Sequence, residues 1–163
     1  MNEAQLISLA TQTAQKLIKE NKTLSVAESC TGGWLSKILT DVSGISAIYK
    51  GGVCSYSNDI KTKILGVKEE TLSSFGAVSE QTARQMAIGV RESFGSDIGI
   101  GITGIAGPLS DNTSKPVGLI YIALSTEKET IVKELQNTFT EDIRLNNRLS
   151  ALETALNLLN TTI

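Results

Sequence analysis

The sequence predicts an α/β domain: three α/β/α layers around a mixed sheet of about five strands, formed by residues 1–163 as one unit. Three observations predict it. Helix-like and strand-like segments alternate through the first two thirds of the chain, as in sheets with helices on both faces. The first strand-like run, residues 23–28, is short and apolar (Leu24, Val26, Ala27), as in buried parallel strands. The last two strand-like runs are separated only by Thr126-Glu127-Lys128-Glu129, which makes them an antiparallel hairpin and the sheet mixed.

Each element has its own signal. Residues 3–20 place Leu6, Leu9, Ala10, Leu17 and Ile18 on one helical stripe. Residues 23–28 form a short buried strand. A helix over Thr31–Thr40 follows, ended by Ser43-Gly44. Residues 47–56 read as a second strand, interrupted by Gly51-Gly52, where a neighbouring backbone or ligand approaches. Asn58 or Asp59 caps a short helix carrying Lys61, Lys63, Ile64 and Leu65, and residues 69–75 form another before Gly76. Ser79 caps a clear amphipathic helix with Ala83, Met86, Ala87, Val90 and Phe94 inward. In residues 97–103 isoleucine alternates with glycine, a central strand with one face kept small. After a long loop at 104–116 come strands near 117–125 and 130–138. A last helix at 142–159 carries Leu145, Leu149, Leu152, Leu156 and Leu159.

Composition narrows the function classes. The 163 residues carry 40% hydrophobic and 20% charged side chains, enough for one well-formed core. A net charge of −2 argues against a nucleic-acid surface. Two cysteines, Cys30 and Cys54, make no disulfide framework, and with no histidine at all little remains to hold a transition metal. The start Met1-Asn2-Glu3-Ala4 lacks a signal-peptide pattern, and no window is apolar enough to span a bilayer. The expectation is a cytoplasmic protein without metal, cofactor, membrane or nucleic-acid partner.

Three corners leave the carboxyl ends of strands, where ligands of such sheets bind. The first is Glu28-Ser29-Cys30-Thr31-Gly32-Gly33. A serine before a helix is commonly only an N-cap; here two glycines follow it and two other polar strand ends lie beside it. With no histidine, a Ser29 nucleophile needs another base, and lysine is the leading candidate. Cys30 is a rival nucleophile of higher intrinsic reactivity, although the lack of a histidine partner favours reading it as a small buried residue. The second corner, Tyr56 to Lys61, supplies a lysine just past a strand end. A free lysine has a pKa of about 10.4, and each unit of lowering costs about 1.4 kcal/mol, which burial or a nearby cation such as Arg144 or Arg148 supplies. Tyr56 is placed to relay a proton or hold a substrate, or simply to pack. The third corner runs through Thr103-Gly104-Ile105-Ala106-Gly107-Pro108. Its glycines suit a phosphate cradle, but the spacing fits neither a Walker A loop nor a dinucleotide fingerprint. Arg144 and Arg148, four apart on one helix, form a clamp for phosphate or carboxylate, or pair with acids such as Glu141.

Taken in order, Glu28-Ser29-Cys30-Thr31-Gly32-Gly33, Gly51-Gly52-Val53 with Tyr56-Ser57-Asn58, Leu65-Gly66-Val67, Gly76-Ala77-Val78-Ser79-Glu80, Thr103 to Pro108 and Lys115-Pro116-Val117-Gly118 resemble the C-terminal domain of the competence/damage-inducible CinA family. The likeness covers nearly the whole chain and is nearest to the free-standing nicotinamide-nucleotide amidohydrolases. Larger members carry a further N-terminal nucleotide-binding domain that is not in this sequence. The resemblance implies a three-layer α/β/α fold, self-association, and hydrolysis of nicotinamide mononucleotide (NMN) to nicotinate mononucleotide and ammonia. It implies Ser29 as nucleophile, Lys61 as base and Tyr56 as their assistant. Substrate contacts then fall on the turn Cys30, Thr31, Gly32 and Gly33, on Thr103, Gly104 and Gly107, and on Arg144. The chain departs from the family before the last helix. Gly-Asp-Arg is replaced by Glu141-Asp142-Ile143-Arg144, so one inserted residue puts Arg144 in the arginine position and the other register puts Ile143 there. Two other readings stand beside this one: a non-catalytic nucleotide-binding or partner-docking module, and the same chemistry on another amide.

Overall fold

The computed structural model describes residues 2–163. The chain forms α1 (Glu3–Lys19), β1 (Leu24–Glu28), α2 (Trp34–Thr40), a 3-10 turn at Ile45–Ala47, β2 (Tyr49–Cys54), α3 (Asn58–Leu65), α4 (Glu69–Phe75), α5 (Glu80–Phe94), β3 (Ile98–Gly104), β4 (Leu119–Ser125), β5 (Thr130–Gln136) and α6 (Ile143–Thr162). One five-stranded sheet has the order β2-β1-β3-β4-β5. β1 runs parallel to β2 and β3, and β4 and β5 run antiparallel. No helix of the described residues is long and apolar enough to cross a membrane.

Side-chain alternation along the central strands decides which helices cover which face. Leu24 and Val26 of β1 and Ile98, Ile100 and Ile102 of β3 enter the larger apolar cluster, where Leu6 of α1, Leu39 of α2 and Leu156 of α6 meet them. The intervening residues face α5. Ala27 packs with Met86 and Val90, and the Ser25 hydroxyl donates to the Val90 carbonyl at 3.1 Å. On the same face of β3 stand Gly99 and Gly101. A Cβ there would lie 2.2 Å from the Ala87 carbonyl oxygen or 2.6 Å from that of Ala83. The isoleucine–glycine alternation therefore fills one face and lets α5 lie against the backbone on the other.

This layering places the site. From β1 the chain crosses through α2 to β2 on one side. From β2 it crosses through α3, α4 and α5 to β3 on the other. The carboxyl end of β1 is thus a switch point between two crossovers that depart in opposite directions, where sheets of this type leave a crevice. The ends of β2 and β3 flank it: the Ser29 N–H donates to the Ile102 carbonyl at 3.0 Å and the Ser55 N–H to the Glu28 carbonyl at 2.8 Å.

Most elements fall where the sequence puts them, with four differences. α2 begins at Trp34 rather than Thr31, because Gly32 and Gly33 take positive φ of 63° and 88° and hold residues 29–33 in a turn. β2 is shorter than the 47–56 reading and ends at Cys54. The cap of α3 is Ser57, whose hydroxyl accepts from the Ile60 N–H, instead of Asn58 or Asp59. α6 extends to Thr162, and Leu145, expected on its apolar stripe, is exposed because the first turn of α6 directs Arg144 and Asn147 at the Gly107 and Ala106 carbonyls.

Gly101→Ala is expected to lower stability by about 1–3 kcal/mol, the usual cost of overpacking, in urea denaturation followed by circular dichroism. An unchanged midpoint would show that α5 is free to move off the sheet.

Candidate active site

The site begins with Glu28. The last residue of β1 turns its carboxylate under the following turn, where Oε2 accepts from the Thr31 hydroxyl at 2.6 Å and the Leu35 N–H at 3.0 Å. Oε1 accepts from the Ser36 N–H at 2.9 Å and the Ser36 hydroxyl at 2.8 Å. A side chain seven residues upstream thus caps α2, supplying acceptors to donors that a helix start leaves unpaired. The turn between strand and helix is pinned at both ends.

Ser29 sits at the head of that turn, 9% exposed. Lys61 reaches it from the first turn of α3. The Lys61 side chain is only 1% exposed, and its Nζ lies 3.2 Å from the Ser29 Oγ and 2.5 Å from the Ser55 carbonyl oxygen. Among the described residues no carboxylate lies within ion-pair distance of it. Burial without a counter-charge destabilises the ammonium form, and the pKa falls from 10.5 to about 8. Neither Arg144 nor Arg148 is needed for the shift.

Cys30 takes the opposite course. It is buried in the larger apolar cluster, and burial pushes its thiol up to about 12. A buried thiol held this far from ionising lacks the thiolate character of an activated cysteine nucleophile.

A cleft of about 210 Å³ opens over this pair, lined by Ser29, Cys30, Tyr56, Lys61, Ala77, Val78, Thr103, Gly104, Ala106, Asp111 and Arg144. Tyr56 stands at its mouth, 64% exposed. Its hydroxyl accepts from Arg144 Nη2 at 3.2 Å, while Nη1 donates to the Gly107 carbonyl at 2.9 Å. Thr103 is buried at the end of β3, and its hydroxyl donates to the Ala77 carbonyl at 2.7 Å, holding the turn before α5 against the cleft. Asn147 of α6 donates to the Ala106 carbonyl at 3.0 Å, so α6 anchors the glycine loop from two side chains.

The structure brings together Ser29, Cys30, Tyr56, Lys61, Thr103, Gly104 and Arg144 from three strand ends and α6. Four other candidates stand behind the cleft wall. The Thr31 hydroxyl is turned to Glu28 and its carbonyl accepts from Arg148 Nη2 at 2.7 Å. Gly32 and Gly33 shape the turn, and Gly107 presents its carbonyl to Arg144. Arg148 does not share the cleft with Arg144: its guanidinium lies over the Trp34 ring, 4.9 Å from the centroid. Lys115 braces the wall by donating to the Phe75 and Val78 carbonyls, each at 2.5 Å.

The sequence reading missed the wall residues Ala77, Val78, Ala106 and Asp111 and the structural part played by Glu28. Ala77 and Val78 lie in the Gly76–Ser79 segment, whose glycine and cap announced a turn without saying which strand end it faces. Asp111 had no signal beyond membership of the long loop.

The model of the CinA C-terminal domain matches residues 6–163. The chain belongs to the CinA C-terminal domain family. A CinA-like protein of Kosmotoga olearia is 52% identical over 120 residues, which is 74% of this chain and 29% of that longer protein. The chain thus spans under a third of the length of that relative. Among solved structures, a competence/damage inducible protein of Agrobacterium tumefaciens superposes with a TM-score of 0.89 at 37% identity, covering 96% of this chain and 94% of that one. A CinA superfamily protein of Escherichia coli gives 0.91 at 29% identity, covering 100% and 94%.

The buried amine has a consequence for stability. The folded state holds Lys61 at about 8, whereas an unfolded lysine stays near 10.5, so between these values the unfolded chain binds more protons and stability rises with pH. Below about 8 the full penalty applies, on the order of 3 kcal/mol. Lys61→Met is therefore expected to raise the thermal midpoint at neutral pH, and to raise it less at pH values near 10.5. Equal gains at both pH values, or a loss at neutral pH, would contradict the assignment of a charged, unpaired amine.

Proposed function

We propose that this CinA-family domain is a serine amidohydrolase in which Lys61 activates Ser29, and that its substrate is the carboxamide of NMN. One observation carries the reading: a lysine amine, buried and without a counter-charge, lies within hydrogen-bond distance of a serine hydroxyl at the switch point of the sheet.

The geometry orients the base. A neutral amine has two N–H groups and one lone pair. The Ser55 carbonyl can only accept, so it takes an N–H from Lys61 and leaves the lone pair free for the Ser29 hydroxyl proton. Ser29 Oγ then attacks the carboxamide carbon as Lys61 Nζ takes its proton. The N–H of Cys30, which lines the cleft beside Ser29, finds no oxygen acceptor among the described residues, and it would support an oxyanion there. Such a donor is typically worth about 3 kcal/mol of barrier. The C–N bond breaks as Lys61 returns its proton to the departing nitrogen, giving ammonia and a nicotinoyl ester on Ser29. Water, deprotonated by Lys61, cleaves the ester, and the serine recovers the proton. The positively charged pyridinium withdraws electrons from the carboxamide, so the substrate itself contributes to activation. Arg144 at the mouth offers its guanidinium to the ribose phosphate, and Tyr56 assists from the same position.

Ammonia release from NMN by the purified protein tests the reading. Ser29→Ala is expected to remove turnover while leaving the circular dichroism spectrum unchanged, and turnover retained in the variant would sink the proposal. The pH dependence supplies a second check. The active form carries neutral Lys61, so kcat/KM should rise through a midpoint at about 8 and level off above it. A profile that instead fell across that range would assign the base elsewhere.

A further inference from the structure

The cleft carries two charged groups besides the base, and each lacks a partner of opposite charge. Arg144 donates only to a carbonyl and a phenol. Asp111 accepts at Oδ1 from the Thr113 N–H at 3.1 Å and the Thr113 hydroxyl at 2.5 Å, a local turn that fixes the carboxylate and leaves Oδ2 uncommitted. Among the described residues neither takes part in an ion pair. They line one small cleft, yet they stand too far apart to pair with each other. A cation and an anion held apart in one pocket complement a ligand that carries the two opposite charges at separate places.

We propose that Asp111 is a specificity residue for the ring charge of the substrate: its carboxylate faces a cationic heteroaromatic amide while Arg144 takes the anionic end of the same molecule. The assignment rests on the amidohydrolase reading above and deepens it. Asp111 is the only carboxylate among the residues lining the cleft, so no other acid there stands as a counter-charge to a pyridinium. The preferred class is then the zwitterionic, oxidised pyridine nucleotide amide. A nucleotide of the same shape with a neutral dihydropyridine ring loses this contact. Asp111 lies on an exposed loop, so water screens the attraction, and the discrimination is about two- to fivefold, the range of solvent-exposed charge pairs.

Binding without turnover isolates the contribution. The Ser29→Ala protein is titrated by calorimetry at low ionic strength with NMN and, separately, with NMN whose ring has been reduced. Asp111→Asn is then added to the same background. Asparagine keeps an Oδ1 acceptor for Thr113 and removes only the charge. The expected result is tighter binding of the oxidised form to Ser29→Ala, a preference that vanishes in the double variant through weaker binding of the oxidised form alone. Added salt should erode the preference in Ser29→Ala, while in the double variant both nucleotides weaken together as the Arg144–phosphate attraction is screened. A preference that survives Asp111→Asn, a loss shared equally by both ligands, or no preference in Ser29→Ala would overturn the role of Asp111 and leave the amidohydrolase reading standing. No binding of either nucleotide by a folded Ser29→Ala protein would remove NMN as the ligand and this inference with it.

Discussion

The site depends on one interaction, the contact of a buried, unpaired amine with a serine hydroxyl at 3.2 Å. Everything nearby can be read as a condition for it. Lys61 lies on the α5 side of the sheet and must reach the end of β1, and the short α3 launched directly from β2 gives it that reach. The Ser55 carbonyl at 2.5 Å holds the amine where its remaining valence points at Ser29. Because no carboxylate accompanies it, the amine prefers neutrality at a pH where an ordinary lysine is charged. A histidine would need no such burial, since its pKa already lies near neutrality. The chain has none, and so the fold itself supplies the shift.

Close packing between the helices and the sheet goes with that burial. Hiding a lysine at the carboxyl edge calls for helices drawn close to the strands. Gly99 and Gly101 let α5 lie against β3, and Gly89 admits α3, since a Cβ there would lie 1.8 Å from the Leu65 carbonyl oxygen. The small residues that look featureless along the chain are thus conditions for the close packing of α3 and α5 around the buried amine. Their effect on chemistry passes through packing.

The fold was legible because its signals are local and periodic. The stripe of α1, the Ser79 cap of α5, the isoleucine–glycine strand and the polar link of the hairpin each follow from a spacing of two or of three to four residues. Ser29, Lys61, Tyr56, Thr103 and Arg144 were legible as candidates because each follows a strand end or sits on a helix near one, and the order of their motifs matches a family. What stayed hidden depends on distance through space. The acceptor for Lys61 is a backbone carbonyl, which no residue type reports. The exposure of Leu145 depends on which side chains the first turn of α6 directs at the glycine loop. Asp111 faces the cleft only through the path of a long loop. Arg148 looked like the partner of Arg144 by helical spacing, but the Trp34 ring and the Thr31 carbonyl draw it to the other side of the turn.

The late start of α2 links these observations. Read from the sequence, the helix should begin at Thr31, and a helix starting there would fold the N–H groups of the turn into its own first turn. Glu28 prevents this. Its carboxylate takes the Leu35 and Ser36 N–H groups, so capping occurs at the far end of the turn, and Gly32 and Gly33 absorb the positive φ that the path demands. The N–H of Cys30, at the cleft beside Ser29, therefore stays free of helix and strand alike. An acidic residue directly before Ser29 would ordinarily oppose negative charge developing beside it. Here four donors surround that charge beneath the turn, and the same donors draw the helix away from the place where an oxyanion would form. Glu28 serves the site by what it keeps the backbone from doing.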